Sequence, residues 1–150
     1  LGNGTPVMYS ECGIYWGHVR FSTHLLVVEM TQVRPLLLIV EKDEATRELY
    51  RRELSRTYSV ITTENAQQAL EVLKTHEVAA VILEPATSDD AGWDLISSIR
   101  HLSNGSSIRV ILCSALDERR RGMSLGAAAY LVKPVLPMTL LDTLNHVLQG

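Results

Sequence analysis

The stretch Leu36-Leu37-Leu38-Ile39-Val40-Glu41-Lys42-Asp43-Glu44 decides the fold. Its apolar run has strand length and no polar side, the pattern of a strand buried on both faces of a parallel sheet. The run stops abruptly in charged residues, so a buried strand delivers a charged turn at its carboxyl end. Asp43 then stands directly before a helix-forming run, Glu44 to Leu54, where its carboxylate is placed to cap the open N–H groups.

The same strand-then-helix unit recurs along the chain. Ser59-Val60-Ile61-Thr62 reads as a second strand, and Asn65 caps a helix whose Ala66, Ala69, Leu70 and Leu73 share one face. Val78 to Leu83 is a third strand. A loop with Pro85, Ser88, Asp89 and Asp90 leads to Gly92 and then to a helix bearing Leu95, Ile96, Ile99 and Leu102 on one side. After the turn Asn104-Gly105-Ser106, Ile108 to Cys113 is a fourth strand, and Asp117 to Leu125 is a short helix ended by Gly126. Tyr130-Leu131-Val132 is a fifth strand. The last helix, Pro137 to Leu148, turns Leu140, Leu141, Leu144, Val147 and Leu148 inward. Strands alternating with helices in this way call for right-handed crossovers and a sheet covered on both faces. The fold class is therefore α/β, a doubly wound five-stranded parallel sheet of the flavodoxin-like kind, with function at the carboxyl ends of the strands.

Residues 1–34 follow another pattern. Strand-prone runs at Val7-Met8-Tyr9, Ile14-Tyr15-Trp16 and Leu25-Leu26-Val27-Val28 are separated by turn formers at Asn3-Gly4, Cys12-Gly13 and Ser22-Thr23. A segment this small does not hold a sheet alone. It reads as an N-terminal extension to a domain spanning 35–150: the tail of an upstream domain, an arm packed on the main domain, or a segment extraneous to it.

Composition narrows the function classes. A length of 150 residues suits one domain with a proper core. A formal net charge of −3 gives no general attraction to nucleic acid or anionic lipid. Cys12 and Cys113 match no zinc or redox spacing, which makes a cytoplasmic location the default. No apolar run approaches the roughly 18 residues of a membrane span, and residues 1–30 lack the pattern of a signal peptide.

The charged and hydroxyl residues stand at the strand ends: Glu41, Lys42 and Asp43 after the first, Glu84 after the third, Ser114 after the fourth, Lys133 and Pro134 after the fifth. Singly, each reads as a solvated loop residue. Their joint placement at successive strand ends brings them to one crevice.

With these motifs in order, residues 35–150 resemble a response-regulator receiver domain of the CheY-like superfamily. The resemblance is carried by Leu-Ile-Val-Glu-Lys-Asp-Glu, the spacing from Glu84 to Gly92, Cys-Ser-Ala after the fourth strand, Gly126-Ala127 before Tyr130, and Lys133-Pro134. It implies that two acids after the first strand and an aspartate after the third hold a magnesium ion, and that this aspartate accepts a phosphoryl group. It implies further that a hydroxyl and a lysine bind the phosphate, while an aromatic residue on the fifth strand follows the hydroxyl inward and alters a partner-binding face. Glu41 matches the first acid, Ser114 the switch hydroxyl, Tyr130 the switch aromatic and Lys133 the phosphate lysine. By the same resemblance the peptide before Pro134 is cis.

Two positions depart from that pattern. Lys42 stands in the second acid's place, and Glu84 in the phosphoacceptor's. Magnesium demands anionic oxygens in near-octahedral geometry. An ammonium about 4 Å from the ion would oppose it by roughly 4 kcal/mol at an effective dielectric near 20. Glu84 is one methylene longer than aspartate, and a displacement of about an ångström costs about a hundredfold in rate. The expectation is a degenerate receiver, a pseudo-receiver with no catalytic residue and weak or absent magnesium binding. In it Glu84 pairs with Lys133 and Lys42 takes the place of the metal. Glu84 as a mimic of the phosphorylated state is an alternative, although one carboxylate lacks the oxygens of a phosphoryl group.

Other readings stay open. Phosphate signalling through a non-standard acceptor would use Glu84, Asp89 or Asp90. A small enzyme or nucleotide-binding protein on the same fold is weakly supported, because the loop Glu-Lys-Asp-Glu-Ala-Thr has no glycine to cradle phosphate. His18, His24, His76, His101 and His146 are scattered and form no ligand set. The partner implied by the resemblance is a protein (a kinase, regulator or output domain) that meets the fourth helix, fifth strand and fifth helix. Arg119, Arg120 and Arg121 there read either as a surface for an acidic partner or as a solvated helix face. Direct contact with nucleic acid or membrane is not expected, and a homodimer is left open.

Overall fold

The structure, a computed structural model, describes residues 13–16, 19–22, 33–85 and 90–150. The chain divides into two units, Leu1–Val33 and Arg34–Gly150. In the first, β1 (Gly13–Trp16) and β2 (Val19–Ser22) pair antiparallel, Gly13 opposite Ser22 and Trp16 opposite Val19. The strand expected at Ile14-Tyr15-Trp16 is β1. Ser22, expected in a turn, instead closes β2, where the apolar-polar alternation of Val19-Arg20-Phe21 outweighs a single turn former. The strands expected at Val7-Met8-Tyr9 and at Leu25 to Val28 lie outside the described residues.

The second unit runs β3 (Leu36–Val40), α1 (Glu44–Leu54), β4 (Ser59–Thr63), α2 (Ala66–Thr75), β5 (Ala80–Leu83), α3 (Ala91–Arg100), β6 (Arg109–Ser114), α4 (Arg119–Ser124), β7 (Ala129–Val132) and α5 (Pro137–Gln149). The strands are parallel in the order β4-β3-β5-β6-β7, so this is the doubly wound, flavodoxin-like sheet. The chain reverses its winding between β3 and β5, and loops leaving those two strands diverge to form a crevice.

Alternation along β3 explains the two cores. Leu38 and Val40 face one layer with Ala69 and Leu73 of α2, and with Leu95, Ile96 and Ile99 of α3. Leu37 and Ile39 face the other, with Tyr50 and Leu54 of α1 and Leu140 and Leu144 of α5. The four β3 side chains are almost wholly buried, as an uninterrupted apolar run requires. Local signals fix the element ends. Asp43 caps α1 by accepting from the Thr46 N–H at 2.8 Å, and Asn65 caps α2 by accepting from Gln68 at 3.0 Å. Gly126, at φ +90, takes the chain out of α4. The third strand starts at Ala80 rather than Val78, although the Ala79 N–H still bonds the Leu36 carbonyl at 2.8 Å.

Candidate functional site

The crevice is built from strand ends. Backbone bonds from Glu41 to Thr63, from Glu84 to Val40 and from Lys133 to Ser114 extend the sheet just past β3, β5 and β7. They hold three charged side chains at fixed spacing. Lys133 Nζ donates to Glu41 Oε2 at 2.7 Å and lies 2.7 Å from Glu84 Oε2. The other oxygen of Glu41 accepts from the Asp43 N–H at 2.9 Å. The cluster is largely out of water: side-chain exposure is 22% for Lys133, 5% for Glu41 and 12% for Glu84. Burial disfavours the ammonium, but the hydrogen bonds and charges of the two carboxylates outweigh it and raise the Lys133 pKa above its ordinary value. Beneath them Cys113 is fully buried, and burial pushes its thiol up to about 12, which makes it an inert core residue.

Lys42 is placed differently from the sequence-based expectation. It is exposed and lines the open crevice with Glu41, Asp43, Glu44, Glu84 and Ala115. Among the described residues its side chain has no hydrogen-bond or ion-pair partner. The cation between the carboxylates is Lys133, not Lys42: the Lys133 backbone still bonds the sheet beyond β7, while Lys42 stands exposed in the loop before α1.

Asp43 holds the first turn of α1, and its hydrogen bonds with Thr46 lower its pKa. A residue that sequence reasoning passed over, Arg47, fixes the same loop. Its Nη1 donates to the carbonyls of Glu41 at 2.8 Å and Lys42 at 3.3 Å, and its Nη2 to Glu64 Oε1 at 3.2 Å. The sequence signal was its spacing: one helical turn past the cap, Arg47 faces back over the loop.

On the other side of the crevice, Ser114 and Tyr130 meet through one residue. The Ser114 hydroxyl accepts from the Leu116 N–H at 3.3 Å, and the Tyr130 hydroxyl donates to the Leu116 carbonyl at 2.5 Å. Tyr130 also accepts from the Glu118 N–H at 3.0 Å, which ties it to the start of α4, and its ring is buried. The Lys133–Pro134 peptide is cis. Asp90 precedes α3 in the left-handed region, φ 54, and pairs with Arg121 at 3.3 Å. Asp89 lies outside the described residues.

The second acid's place holds Lys42, and Glu41 and Glu84 are turned to the Lys133 ammonium, while Asp43 and Glu44 also line the crevice. Among the described residues no group of three or more His, Cys, Asp or Glu side chains is placed to hold a metal.

The model of the response regulator receiver domain matches residues 37–145. The chain belongs to the response regulator receiver family. Similar proteins include the probable transcriptional regulatory protein SilR of Salmonella typhimurium, 34% identical over 117 residues that cover 75% of this chain and 50% of SilR. Another is the probable transcriptional regulator ycf27 of Cyanidium caldarium, 30% identical over 117 residues, with 75% of this chain and 46% of the relative covered. The chain thus spans about half the length of these curated relatives. Among solved structures, the chemotaxis response regulator CheY4 of Vibrio cholerae superposes with a TM-score of 0.71 at 23% identity, covering 76% of this chain and 98% of that one. The non-phosphorylated HemR receiver domain of Leptospira biflexa gives 0.70 at 26%, covering 78% and 96%. Receivers of this family act in two-component signalling and meet kinases and output domains. Among the described residues no helix is long and apolar enough to cross a membrane.

Proposed function

We propose that this receiver domain signals through protein contacts without accepting a phosphoryl group. The observation that carries the reading is Lys133 Nζ seated 2.7 Å from both Glu41 Oε2 and Glu84 Oε2. An ammonium in that position bridges the two carboxylates and offsets one of their two negative charges, so magnesium is not needed to hold them together. Lys42 adds positive charge on the open side of the crevice and opposes a divalent ion there. Glu84, which accepts the Lys133 charge, is a poor nucleophile for phosphate.

The partner side is the surface of α4, β7 and α5, the fourth helix, fifth strand and fifth helix of the receiver. Met123 of α4, Val132 of β7 and Met138 of α5 are exposed, as are Leu116 and Leu136 in the loops that lead into α4 and α5, and Arg119 and Arg120 of α4 are exposed too. We assign this face to a protein partner in the cytoplasm, with neither nucleic acid nor membrane bound directly.

A second reading is favoured by the placement of Tyr130. The ring is buried and its hydroxyl bonds the loop after β6, the inward arrangement that the receiver pattern associates with switching. In this reading Glu84 holds the domain switched on.

The test is a titration with magnesium and then beryllofluoride, followed by amide NMR, on the native protein and on the Lys42→Asp/Glu84→Asp variant. The native protein is expected to stay silent at Glu41, Glu84, Ser114 and Lys133, while the variant, with both acids restored, responds saturably. A saturable response of the native protein at those residues overturns the proposal. If Glu84 holds the domain on, the variant before beryllofluoride shows a shifted Tyr130 and returns towards the native spectrum on binding it.

A further inference from the structure

Two consecutive residues of α4 face two different parts of the fold, the strands β6 and β7 and the start of α3. Gly122 lies against β6 and β7: a Cβ there would stand 2.6 Å from Leu112 Cδ1 and 2.8 Å from Tyr130 Cδ2. Only a residue without a side chain lets α4 sit so close to Tyr130. Arg121 turns to the other side. Its guanidinium lies 4.3 Å from the centroid of the Trp93 ring, within cation–π range, and its Nη2 is 3.3 Å from Asp90 Oδ1. Glu118, one turn back, approaches the same guanidinium at 3.5 Å.

Trp93 is no isolated surface ring. It is 4% exposed and belongs to the core layer that contains Tyr130, Leu112 and the α3 residues. Its neighbour Gly92 is pressed onto Pro85, where a Cβ would stand 2.7 Å from the Pro85 carbonyl oxygen and 2.8 Å from its Cα. Pro85 directly follows Glu84. A continuous chain of contacts therefore runs from Glu84 through Pro85 and Gly92 to Trp93, and from Trp93 to Arg121.

We propose that Arg121 is a positioning residue that couples the crevice to α4 through Trp93 and Asp90, in parallel with the route through Tyr130. The inference rests on the reading of this domain as a partner-binding receiver, and it supplies a second route by which Glu84 reaches the partner face. A shift of the Glu84–Pro85 backbone moves the first turn of α3, because Gly92 leaves no slack against Pro85. Arg121 then carries that shift to α4, since a flat guanidinium held on a ring and on a carboxylate tracks both. The backbone at Asp90 suits this role: the left-handed conformation is one that Asp and Asn tolerate. A lysine at 121 would keep the charge opposite Asp90 but lose the planar stacking on Trp93.

The experiment is a set of double-mutant comparisons read by amide NMR and by the Trp93 indole N–H resonance. Glu84→Gln perturbs the crevice in the native, Arg121→Gln, Arg121→Lys and Tyr130→Phe backgrounds. In the native background, shifts are expected at Glu41 and Lys133, at the Trp93 indole and along Arg119 to Ser124. In Arg121→Gln the α4 shifts are expected to fall by roughly half while those at Glu41 and Lys133 persist. Arg121→Lys gives an intermediate response, and Tyr130→Phe removes the remainder in combination with Arg121→Gln. The variant Asp90→Asn, which keeps the left-handed backbone, weakens the response in the same direction. The proposal is overturned if Glu84→Gln leaves α4 unmoved in the native background, or if its response is undiminished in Arg121→Gln. Binding of beryllofluoride is measured separately, so failure of the phosphate-independent reading is distinguishable from failure of the coupling.

Discussion

On the β3–β5 side of the crevice, Lys42 and Glu84 stand where the receiver pattern has acids suited to metal and phosphate. On the β6–β7 side, Ser114, Tyr130, Lys133 and the cis peptide before Pro134 keep that pattern. The first side differs in charge and reach, the second agrees in shape. Phosphoryl chemistry needs both sides, since the ion and the nucleophile come from one and the phosphate-binding groups from the other. Conformational coupling needs no acceptor chemistry: on the second side Leu116 joins Ser114 to Tyr130 and Gly122 seats α4 on the Tyr130 ring. On the proposed reading, the contrast teaches that a receiver parts with its acceptor chemistry and keeps the packing that relays a state to its partner face.

Lys133 belongs to both sides, so its removal gives the largest effect. Lys133→Met leaves Glu41 and Glu84 buried without their shared countercharge, and the expected loss is about 3–5 kcal/mol in urea unfolding at neutral pH. Glu84→Gln costs less, because Glu41 still faces the ammonium. The pH dependence sharpens the assignment. The folded-state pKa of Lys133 is raised, so its contribution is full below the unfolded value near 10.4 and is lost only as pH rises through the higher folded value. Native stability is therefore expected to decline in the alkaline range, with a smaller decline in Lys133→Met. An equal alkaline decline in both proteins would show that the pair with the carboxylates contributes little.

Gly122→Ala probes the second side alone. The new methyl meets Leu112 and Tyr130, and overpacking of this kind costs about 1–3 kcal/mol. Replacing glycine within a helix returns roughly 1 kcal/mol, so a net loss of about 1 kcal/mol is expected. The Tyr130 hydroxyl should lose its bonds to Leu116 and Glu118, visible as amide shifts at both residues, while the crevice around Lys133 stays unchanged. Shifts of equal size at Glu41 would show that the two sides do not separate.

Most of this fold was legible because its signals are local. The apolar run of β3, the caps at Asp43 and Asn65 and the glycine after α4 each act within a few residues. The residues of the crevice were legible through strand ends, which the parallel sheet must bring together. The pairing of Glu84 with Lys133 was legible from their charges, but the place of Lys42 was not, because it depends on the direction in which its side chain leaves the loop. Lys42 and Lys133 carry the same charge in the sequence, yet Lys133 is drawn inward and Lys42 stands in solvent. The Arg121–Trp93–Asp90 arrangement was equally hidden, since a run of arginines on a short helix reads as a solvated face until the ring beneath one of them is seen.

The smallest expected effect decides what that difference means. Lys42 is exposed, and its side chain has no hydrogen-bond or ion-pair partner among the described residues, so Lys42→Ala should alter stability by no more than about 0.5 kcal/mol. The sequence alone favoured a larger role, with Lys42 balancing the carboxylates in place of a metal. A loss above about 1 kcal/mol in urea unfolding, abolished in a Glu84→Gln background, would restore that role. It would mean that the lysine reaches the cluster through the open crevice in solution. No change in stability leaves Lys42 with a purely electrostatic role, in which it keeps divalent ions away from Glu41 and Glu84 without supporting the fold. In that case Lys42→Asp should admit magnesium more readily than Lys42→Ala, because only the aspartate adds a ligand as well as removing the repulsion.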